Sequence, residues 1–206
     1  AMATLWAKAA GGNWTAAGTW SNTGSLGADS SGPPTAADDV IFELGSGNVT
    51  NNAASVCRSL DCTSGTGDYA GTLTHNATFT LTIGDGTAGA GNIALRFSAG
   101  MTYTLGSATT SAIAFASSSA TQQDVDFAGK TTGNVTYGTV STACSYRLTG
   151  AHTCGSTALV TLSRGALTTN GQACSWGGFD SNNSNARSLT LGASTNYTIG
   201  ISGSVA

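Results

Sequence analysis

The stretch TLTIG at residues 80–84 is followed by the similar stretch TYTLG at residues 102–106. Both stretches alternate polar residues with apolar or aromatic ones, and this period of two is typical of a β-strand with one buried face. An α-helix would instead repeat its apolar residues every three or four positions. The two stretches therefore predict β-strands at equivalent places in successive structural repeats.

The same alternation recurs along most of the chain in two series. The first series consists of inward pairs at steps of about 20–22 residues: Val40/Phe42, Leu60/Cys62, Leu81/Ile83, Tyr103/Leu105, Val125/Phe127, Tyr146/Leu148, Leu167/Thr169 and Leu189/Leu191. The second series consists of single apolar residues at steps of about 20–24 residues: Val49, Leu73, Leu95, Phe115, Tyr137, Leu159, Phe179 and Ile201. Such self-similarity indicates a stacked repeat, in which each unit buries its apolar face against its neighbours.

We interpret each repeat as one coil. Steps of this size fit three short strands joined by unequal corners, whereas left-handed hexapeptide solenoids give multiples of six. Parallel crossovers strongly favour the right hand. The predicted fold class is therefore all-β: a right-handed parallel β-helix (β-solenoid) with about eight coils of about 20–22 residues and an N-terminal cap. Glycine-rich stretches such as IGDGTAGAGN at 83–92 are then corners rather than phosphate-binding loops, because no helical pattern follows them.

The chain is poor in charge and rich in small residues. Its 206 residues include 29 Gly and 8% charged side chains, and its net charge is -3 at pH 7. The seven Lys and Arg residues are scattered, so the sequence predicts no nucleic-acid partner. No apolar run reaches the ~18 residues of a membrane span, and the opening lacks the apolar stretch of a signal peptide. We expect a protein made in the cytoplasm from a natural start at Met2, without membrane insertion and without a cofactor.

Two segments are predicted. Residues 1–38 contain three of the four Trp and both Pro, have no place in either series, and are interpreted as an N-terminal cap. Residues 39–206 form the predicted β-helix, and their alternation still runs at the end, which leaves open a longer native chain or contact with another subunit. Within the cap, Trp6, Trp14 and Trp20 are expected to pack over the first coil. The alternative is a platform on which sugars stack.

Two acidic pairs are candidate sites. Asp38 and Asp39 precede the first predicted strand and could join a calcium site, although hydrogen bonds to turn amides are the favoured interpretation. Asp124 and Asp126 are predicted to point outward ~6–7 Å apart, near the separation of the acid and base in inverting glycosidases. Arg147 follows Asp126 by one predicted repeat and is expected to pair with it on the next coil. Because such a pair keeps Asp126 ionised, we expect a structural pair rather than catalysis.

The five cysteines do not form the paired CxxC knuckles of a zinc site. Although His152 lies beside Cys154, we interpret the cysteines as small buried apolar side chains, with Cys62 on the first series. Cys154 and Cys174 each precede a member of the second series by five residues. We therefore predict them at equivalent places on adjacent coils, with Cα atoms ~5 Å apart, and leave their oxidation state open.

One part of the sequence resembles a known group of proteins. GGNWTAAGTWS at 11–21, PTAADDVIFELGSGNVTNNAASVCRSLDC at 34–62 and YAGTLT at 69–74 resemble a segment of bacteriophage and metagenomic tail-fibre-like virion proteins. A more distant similarity is to bacterial adhesins built on β-helices. The resemblance implies a virion or extracellular location, and other virion subunits or a host-surface glycan as partners. It also implies a homo-oligomer such as a trimer, and it carries no catalytic motif.

Three classes of function follow. A structural or host-contacting module of a phage virion, such as a tail fibre, is favoured, and no enzymatic activity is expected. The alternative is an extracellular β-helix protein that binds or degrades polysaccharide. The third class is an ice-binding solenoid, based on an outward array of four threonines: Thr80, Thr82, Thr102 and Thr104. Polar and charged residues predicted on the next coils would interrupt that array: Asp124, Asp126, Ser145 and Arg147.

Overall fold

The computed structural model describes residues 2–30, 32–193 and 196–200. They form an all-β fold with two short 3₁₀ turns, Ala17–Thr19 and Ala90–Asn92. Within these ranges, no helix has the length and apolar character needed to cross a bilayer. In chain order the strands are β1 (Thr4–Ala7), β2 (Gly12–Asn13), β3 (Trp20–Ser21), β4 (Asp39–Ile41), β5 (Val49–Asn51), β6 (Ser55–Cys57), β7 (Ser59–Asp61), β8 (Thr72–His75), β9 (Thr80–Ile83), β10 (Ile93–Arg96), β11 (Thr102–Leu105), β12 (Ala112–Phe115), β13 (Gln122–Asp126), β14 (Thr131–Thr132), β15 (Val135–Tyr137), β16 (Ser145–Leu148), β17 (His152–Cys154), β18 (Leu159–Leu162), β19 (Gly165–Thr168), β20 (Cys174–Trp176), β21 (Gly178–Asp180), β22 (Arg187–Thr190) and β23 (Tyr197–Ile199).

These strands form four sheets. The first sheet has the order β22-β19-β16-β13-β10-β7-β4-β1-β3, the second β11-β8-β5-β2, the third β21-β18-β15-β12-β9-β6 and the fourth β14-β17-β20-β23. All pairings between described strands are parallel except that of β3, which runs antiparallel to β1. From β4 onward the chain visits the first, second and third sheets in rotation, and from β14 the fourth sheet takes the turn of the second. Each return to a sheet adds a strand beside the previous one.

The step between aligned residues is uneven in the amino-terminal half. In the first sheet, Val40 is aligned with Leu60, Leu60 with Leu95, and Leu95 with Val125. The step from Val40 to Leu60 has the predicted size, but the two steps that follow are much longer. The predicted uniform step is therefore wrong here. Loops of unequal length separate the strands, and the glycine-rich stretch 84–92 adds to one of the long steps.

In the carboxyl-terminal half the predicted step holds only in part, since Val125 is aligned with Leu148 and not with Tyr146. Tyr146 is aligned with Leu167, and Leu167 with Leu189, as the first series requires. These two steps are confirmed, but Leu191, which was predicted to face inward, is 50% exposed. Ile201, the last member of the second series, lies outside the described residues.

The similar stretches TLTIG and TYTLG form strands, as predicted, but in different sheets. Leu81 of β9 is aligned with Ile113 of β12 in the third sheet. Tyr103 of β11 is aligned with Leu73 of β8 in the second sheet. Their assignment to one ladder is therefore wrong, because the repeat distance connects a strand of one sheet with a later strand of another.

Alternate strand residues build the core. Leu60, Leu95 and Val125 of the first sheet are fully buried. Phe115 and Tyr137, aligned on β12 and β15, stack with their ring centroids 4.8 Å apart. Full burial of one large apolar side chain contributes ~1.5–3 kcal/mol. The stacked interior is therefore the main source of stability.

Part of the segment that was predicted to be a cap forms strands of the first and second sheets. β1 pairs in parallel with β4, and β2 pairs in parallel with β5, so the first segment begins the first and second sheets. The expectation that residues 1–38 have no place in the repeating sheets is wrong for these two strands. β3 then covers the outer edge of β1 in antiparallel orientation. This strand satisfies backbone groups that an open edge would leave available for aggregation.

Candidate functional site

The outer face of the first sheet carries charge. On its strands the alternate residues Val40, Leu60 and Val125 face the core, which turns their neighbours outward. We call the charged residues of these strands the ionic face: Asp39, Asp61, Arg96, Asp124, Asp126, Arg147 and Arg187. By contrast, the described strands of the other three sheets contain one charged residue, Asp180. Ionic contacts of the strands are thus concentrated on one side of the molecule.

Asp39 is held by a buried arginine. Arg58 donates from Nε to Asp39 Oδ1 at 2.9 Å and from Nη2 to the other carboxylate oxygen. Ser59 donates its hydroxyl to Oδ1 at 2.6 Å. Hydrogen bonding to Asp39 raises the pKa of Arg58 more than burial lowers it. Both side chains are at most 7% exposed, so this pair is a fixed structural element.

Asp38 belongs to a separate network. Its Oδ1 accepts the backbone N–H of Ala3 at 2.9 Å, and its Oδ2 accepts the N–H and hydroxyl of Thr35 at 2.9 and 2.7 Å. The two carboxylates of the predicted calcium pair are therefore engaged by different parts of the protein. Among the described residues, no group of three or more His, Cys, Asp or Glu side chains is arranged to hold a metal ion.

Asp61 and Arg96 form a second pair on the ionic face. Arg96 donates from Nη2 to Asp61 Oδ2 at 2.8 Å and from Nε to Oδ1 at 3.1 Å. Burial raises the pKa of Asp61, but hydrogen bonds from Arg96, Ser64 and Thr63 lower it, and the net pKa lies below its usual value. Asp61 is therefore ionised at neutral pH.

The predicted partner of Arg147 is wrong. Arg147 binds Asp124, with Nε and Nη2 at 2.9 and 2.8 Å from Oδ1, and not Asp126. The reason is the register, since β13 and β16 align Arg147 with Asp124, two positions before the predicted partner. Asp126 instead accepts the backbone N–H of Ala128 at 2.7 Å. The two carboxylates thus have separate partners.

The three tryptophans of the amino-terminal segment do not form one platform. Trp14 and Trp20 are buried, with ring centroids 4.9 Å apart in an edge-to-face contact, and both rings pack near Phe42. Trp20 donates its indole N–H to the carbonyl oxygen of Trp14 at 2.8 Å. A shared sugar-stacking surface is therefore excluded for these two rings. Trp6 differs, since it occupies an outward position on β1 and lines an open cleft.

Both histidines are buried and neutral. His75 accepts the Tyr103 hydroxyl at Nδ1 and donates from Nε2 to the carbonyl oxygen of Phe79, each at 2.6 Å. His152 accepts the indole N–H of Trp176 at Nδ1, at 3.0 Å. Burial lowers the pKa of both, that of His152 to about 3. Sequence analysis missed this polar core, although both histidines alternate with outward threonines in TLTH and HTC.

The predicted alignment of Cys154 with Cys174 is wrong. Cys174 is aligned with His152, so the two cysteines are offset by two residues along adjacent strands. Cys154 accepts the backbone N–H of Gly177 at 3.3 Å. All five cysteines lie within the described ranges and are free, buried thiols. Burial raises the pKa of Cys174 to about 11, so this thiol is protonated at neutral pH.

Hydroxyl groups line the uncharged sheets. Thr102 and Thr104 of β11 are aligned with Thr72 and Thr74 of β8, whereas the threonines of β9 lie in the third sheet. The four threonines therefore do not form one array. The polar and charged residues that were expected to interrupt it lie in the first sheet, so this predicted interruption is wrong as well. The longest outward columns, in the second and fourth sheets respectively, are Asn13, Thr50, Thr74 and Thr104, and Thr131, Thr153, Ser175 and Thr198. Such cross-strand pairs of β-branched residues stabilise sheets.

The arrangement offers two kinds of surface along one stack of strands. On the ionic face, three carboxylates are each bound to an arginine, and two of these ion pairs, Asp61–Arg96 and Asp124–Arg147, are partly exposed. On the second and fourth sheets, rows of hydroxyls present hydrogen-bonding groups without charge. Scans of the chain against family models, curated proteins and solved structures found no match.

Proposed function

We propose that the chain is a structural, host-contacting module of a phage virion, such as a tail fibre, built as a right-handed parallel β-helix. The observation that supports the architecture best is the rotation of the chain through three sheet positions with parallel pairing at each return. Each rotation then corresponds to one coil, and the right hand follows from the general preference of parallel crossovers. Eight parallel strands of the first sheet, at ~4.8 Å each, give a stack about 35 Å long.

Two features support a role in a fibre. The uncharged, hydroxyl-bearing faces can be covered by neighbouring subunits without the desolvation of charged groups, which favours a homo-oligomer such as a trimer. The ionic face keeps part of the surface strongly hydrated.

The cysteines concern the place of synthesis. Five buried free thiols are compatible with synthesis in a reducing cytoplasm before release in the virion.

The proposal assigns no catalytic role. Asp124 is bound to Arg147, and Asp126 accepts a backbone hydrogen bond, so each carboxylate of the pair already has its own partner within the protein. A polysaccharide-binding protein is the second candidate. It is favoured by one observation, the partly exposed indole of Trp6 at the edge of an open cleft.

The test of host contact is binding of the purified, fluorescently labelled protein to a panel of intact bacterial strains. We expect saturable binding to some strains and loss of that binding after periodate treatment, which oxidises vicinal diols of surface glycans. Binding that survives periodate would indicate a receptor other than a glycan. No binding to any strain, together with failure of antibodies against the chain to label phage particles, would contradict the proposed function.

A further inference from the structure

We propose that the cleft beside Trp6 is a subsite for one neutral pyranose ring. This inference rests on the proposed function in taking a host glycan as the receptor, and it adds the place of contact and the class of sugar. The cleft has a volume of about 360 Å³, within the ~300–1,000 Å³ typical of ligand sites. Trp6, Glu43 and two loops, at 23–26 and 65–66, line it.

The indole of Trp6 provides the apolar wall. Of the four tryptophans, all within the described ranges, the other three are at most 3% exposed: Trp14, Trp20 and Trp176. Trp6 lies between the buried residues Leu5 and Ala7, so strand alternation turns its ring outward. The C–H face of a pyranose packs against such a ring, while the ring edge and N–H stay available for polar contacts.

Glu43 fixes the two loops that line the cleft. Its Oε1 accepts the backbone N–H of Ser25 at 2.8 Å, and its Oε2 accepts that of Thr66 at 3.0 Å. Burial raises the pKa of Glu43, but these hydrogen bonds lower it, and the net pKa lies below its usual value. The carboxylate is therefore ionised at neutral pH and ties both loops to the cleft. Glu43 is only 4% exposed, so its role is to fix the two loops whose hydroxyls border the cleft.

Two glycines let both loops pack closely against this carboxylate. Gly24 and Gly65 have φ angles of +110° and +72°, in the region that favours glycine. A Cβ at Gly65 would collide with the carboxylate of Glu43. On the same loops, Thr23 and Thr66 are exposed and carry hydroxyls at the margin of the cleft. An aromatic wall and peripheral hydroxyls on two fixed loops match the apolar face and hydroxyl edge of a sugar.

Charge selects among sugars. The carboxylate of Glu43 lies in the cleft, and the backbone of Glu43 forms a bridge to exposed Asp68. Two nearby negative charges disfavour sugars that carry a carboxylate, such as uronic acids. The subsite is therefore expected to accept neutral hexoses and N-acetylhexosamines.

The test follows the four indole N–H signals of ¹⁵N-labelled protein during titration with methyl glycosides of glucose, galactose, mannose and N-acetylglucosamine. The Trp6 signal is the one absent from Trp6→Tyr. We expect this signal to shift saturably with one or more neutral glycosides, while the three buried indoles stay in place. Methyl glucuronide should give a much weaker shift.

Variants then establish the role of the ring. Trp6→Ala should weaken glycoside binding about tenfold, measured by saturation-transfer NMR. Trp6→Tyr keeps an aromatic face and should lose less. Val140→Ala removes an exposed apolar side chain that does not line the cleft, and it should leave binding unchanged. Undiminished binding in Trp6→Ala, or no Trp6 shift with any glycoside, would overturn the subsite.

The same variants separate this inference from the proposed function. Equal binding of wild type and Trp6→Ala to bacterial cells would leave host contact in place and remove the subsite. A saturable Trp6 shift without binding to any strain would leave the subsite in place and remove the host-contacting role.

Discussion

Trp176 donates its indole N–H to Nδ1 of His152 at 3.0 Å inside the protein. The other ring nitrogen lies 2.9 Å from the Thr132 hydroxyl, and the ring stacks on Phe127 with centroids 4.2 Å apart. Because Nδ1 accepts, the proton is on Nε2 and the ring is neutral. Protonation would remove the acceptor of Trp176 and place a charge in the core.

We therefore expect the free energy of unfolding to decrease as the pH falls. Burial lowers the pKa of His152 from 6.5 to about 3, so the unfolded chain binds more protons between these values. The contribution of His152 is complete well above pH 6.5 and is lost as the pH falls toward 3, by on the order of 5 kcal/mol. Denaturant unfolding at a series of pH values measures this.

His152→Gln provides the control. It should reduce the pH dependence between about pH 6.5 and 5, where groups such as Asp61, whose pKa is lowered, do not titrate. Part of the dependence should remain, because burial also lowers the pKa of His75. An unchanged slope in His152→Gln would show that His152 does not cause the acid sensitivity.

The second prediction compares a buried ion pair with an exposed one. Asp39→Asn leaves the buried guanidinium of Arg58 without its counter-charge and should cost ~3–5 kcal/mol of unfolding free energy. Asp124→Asn breaks the pair with Arg147, whose side chains are 31% and 42% exposed, and should cost less than about 1 kcal/mol. Urea denaturation compares the two variants. Equal losses would contradict the difference in burial.

The third prediction concerns two glycines with nearly equal backbone angles. Gly129 and Gly138 have φ of +73° and +74°, but a Cβ at Gly129 meets nothing within 4 Å, whereas one at Gly138 collides with the backbone of Arg164. Gly129→Ala should cost ~1–2 kcal/mol for the left-handed conformation alone. Gly138→Ala should cost a further ~1–3 kcal/mol. Thermal unfolding of both variants measures the difference. Equal melting temperatures would show that the backbone at Gly138 does not pack against Arg164 as described.

Alternation in the sequence predicts which residues face inward, but not which strands are neighbours. Val40 and Leu60 were placed correctly, because only short connections separate their strands. Tyr103 was placed wrongly, since the long loop 84–92 changes the step while preserving the period of two on each side. A two-residue error of the same kind shifted the predicted partner of Arg147 from Asp124 to Asp126.

The candidate sites show the same limit. Clustered tryptophans indicate either packing or a surface, and the cluster alone does not show that Trp6 on β1 faces outward while Trp20 on β3 is buried. No local pattern could indicate that Glu43 holds loops 18 and 23 residues away. These contacts depend on the stacking of strands and not on the neighbours in sequence.

The fourth prediction is a double-mutant cycle on the ionic face. Arg147→Ala should couple to Asp124→Ala by a few tenths to about 1 kcal/mol and should not couple measurably to Asp126→Ala. Coupling to Asp126 instead would support the register predicted from the sequence.

The double variant Asp124→Asn with Asp126→Asn should leave folding nearly intact. Polysaccharide cleavage that the parent shows and this variant lacks would contradict a non-catalytic role.

The most direct test of the stacked parallel strands is spin labelling at Thr104. We expect strong dipolar broadening between labels at Thr74 and Thr104, which are aligned on neighbouring strands of the second sheet. Labels at Thr82 and Thr104, which occupy equivalent places in the two similar stretches but lie in different sheets, should broaden much less. Singly labelled variants give the reference line shapes. Strong broadening for Thr82 and Thr104 with none for Thr74 and Thr104 would contradict the described stack and the β-helix proposed from it.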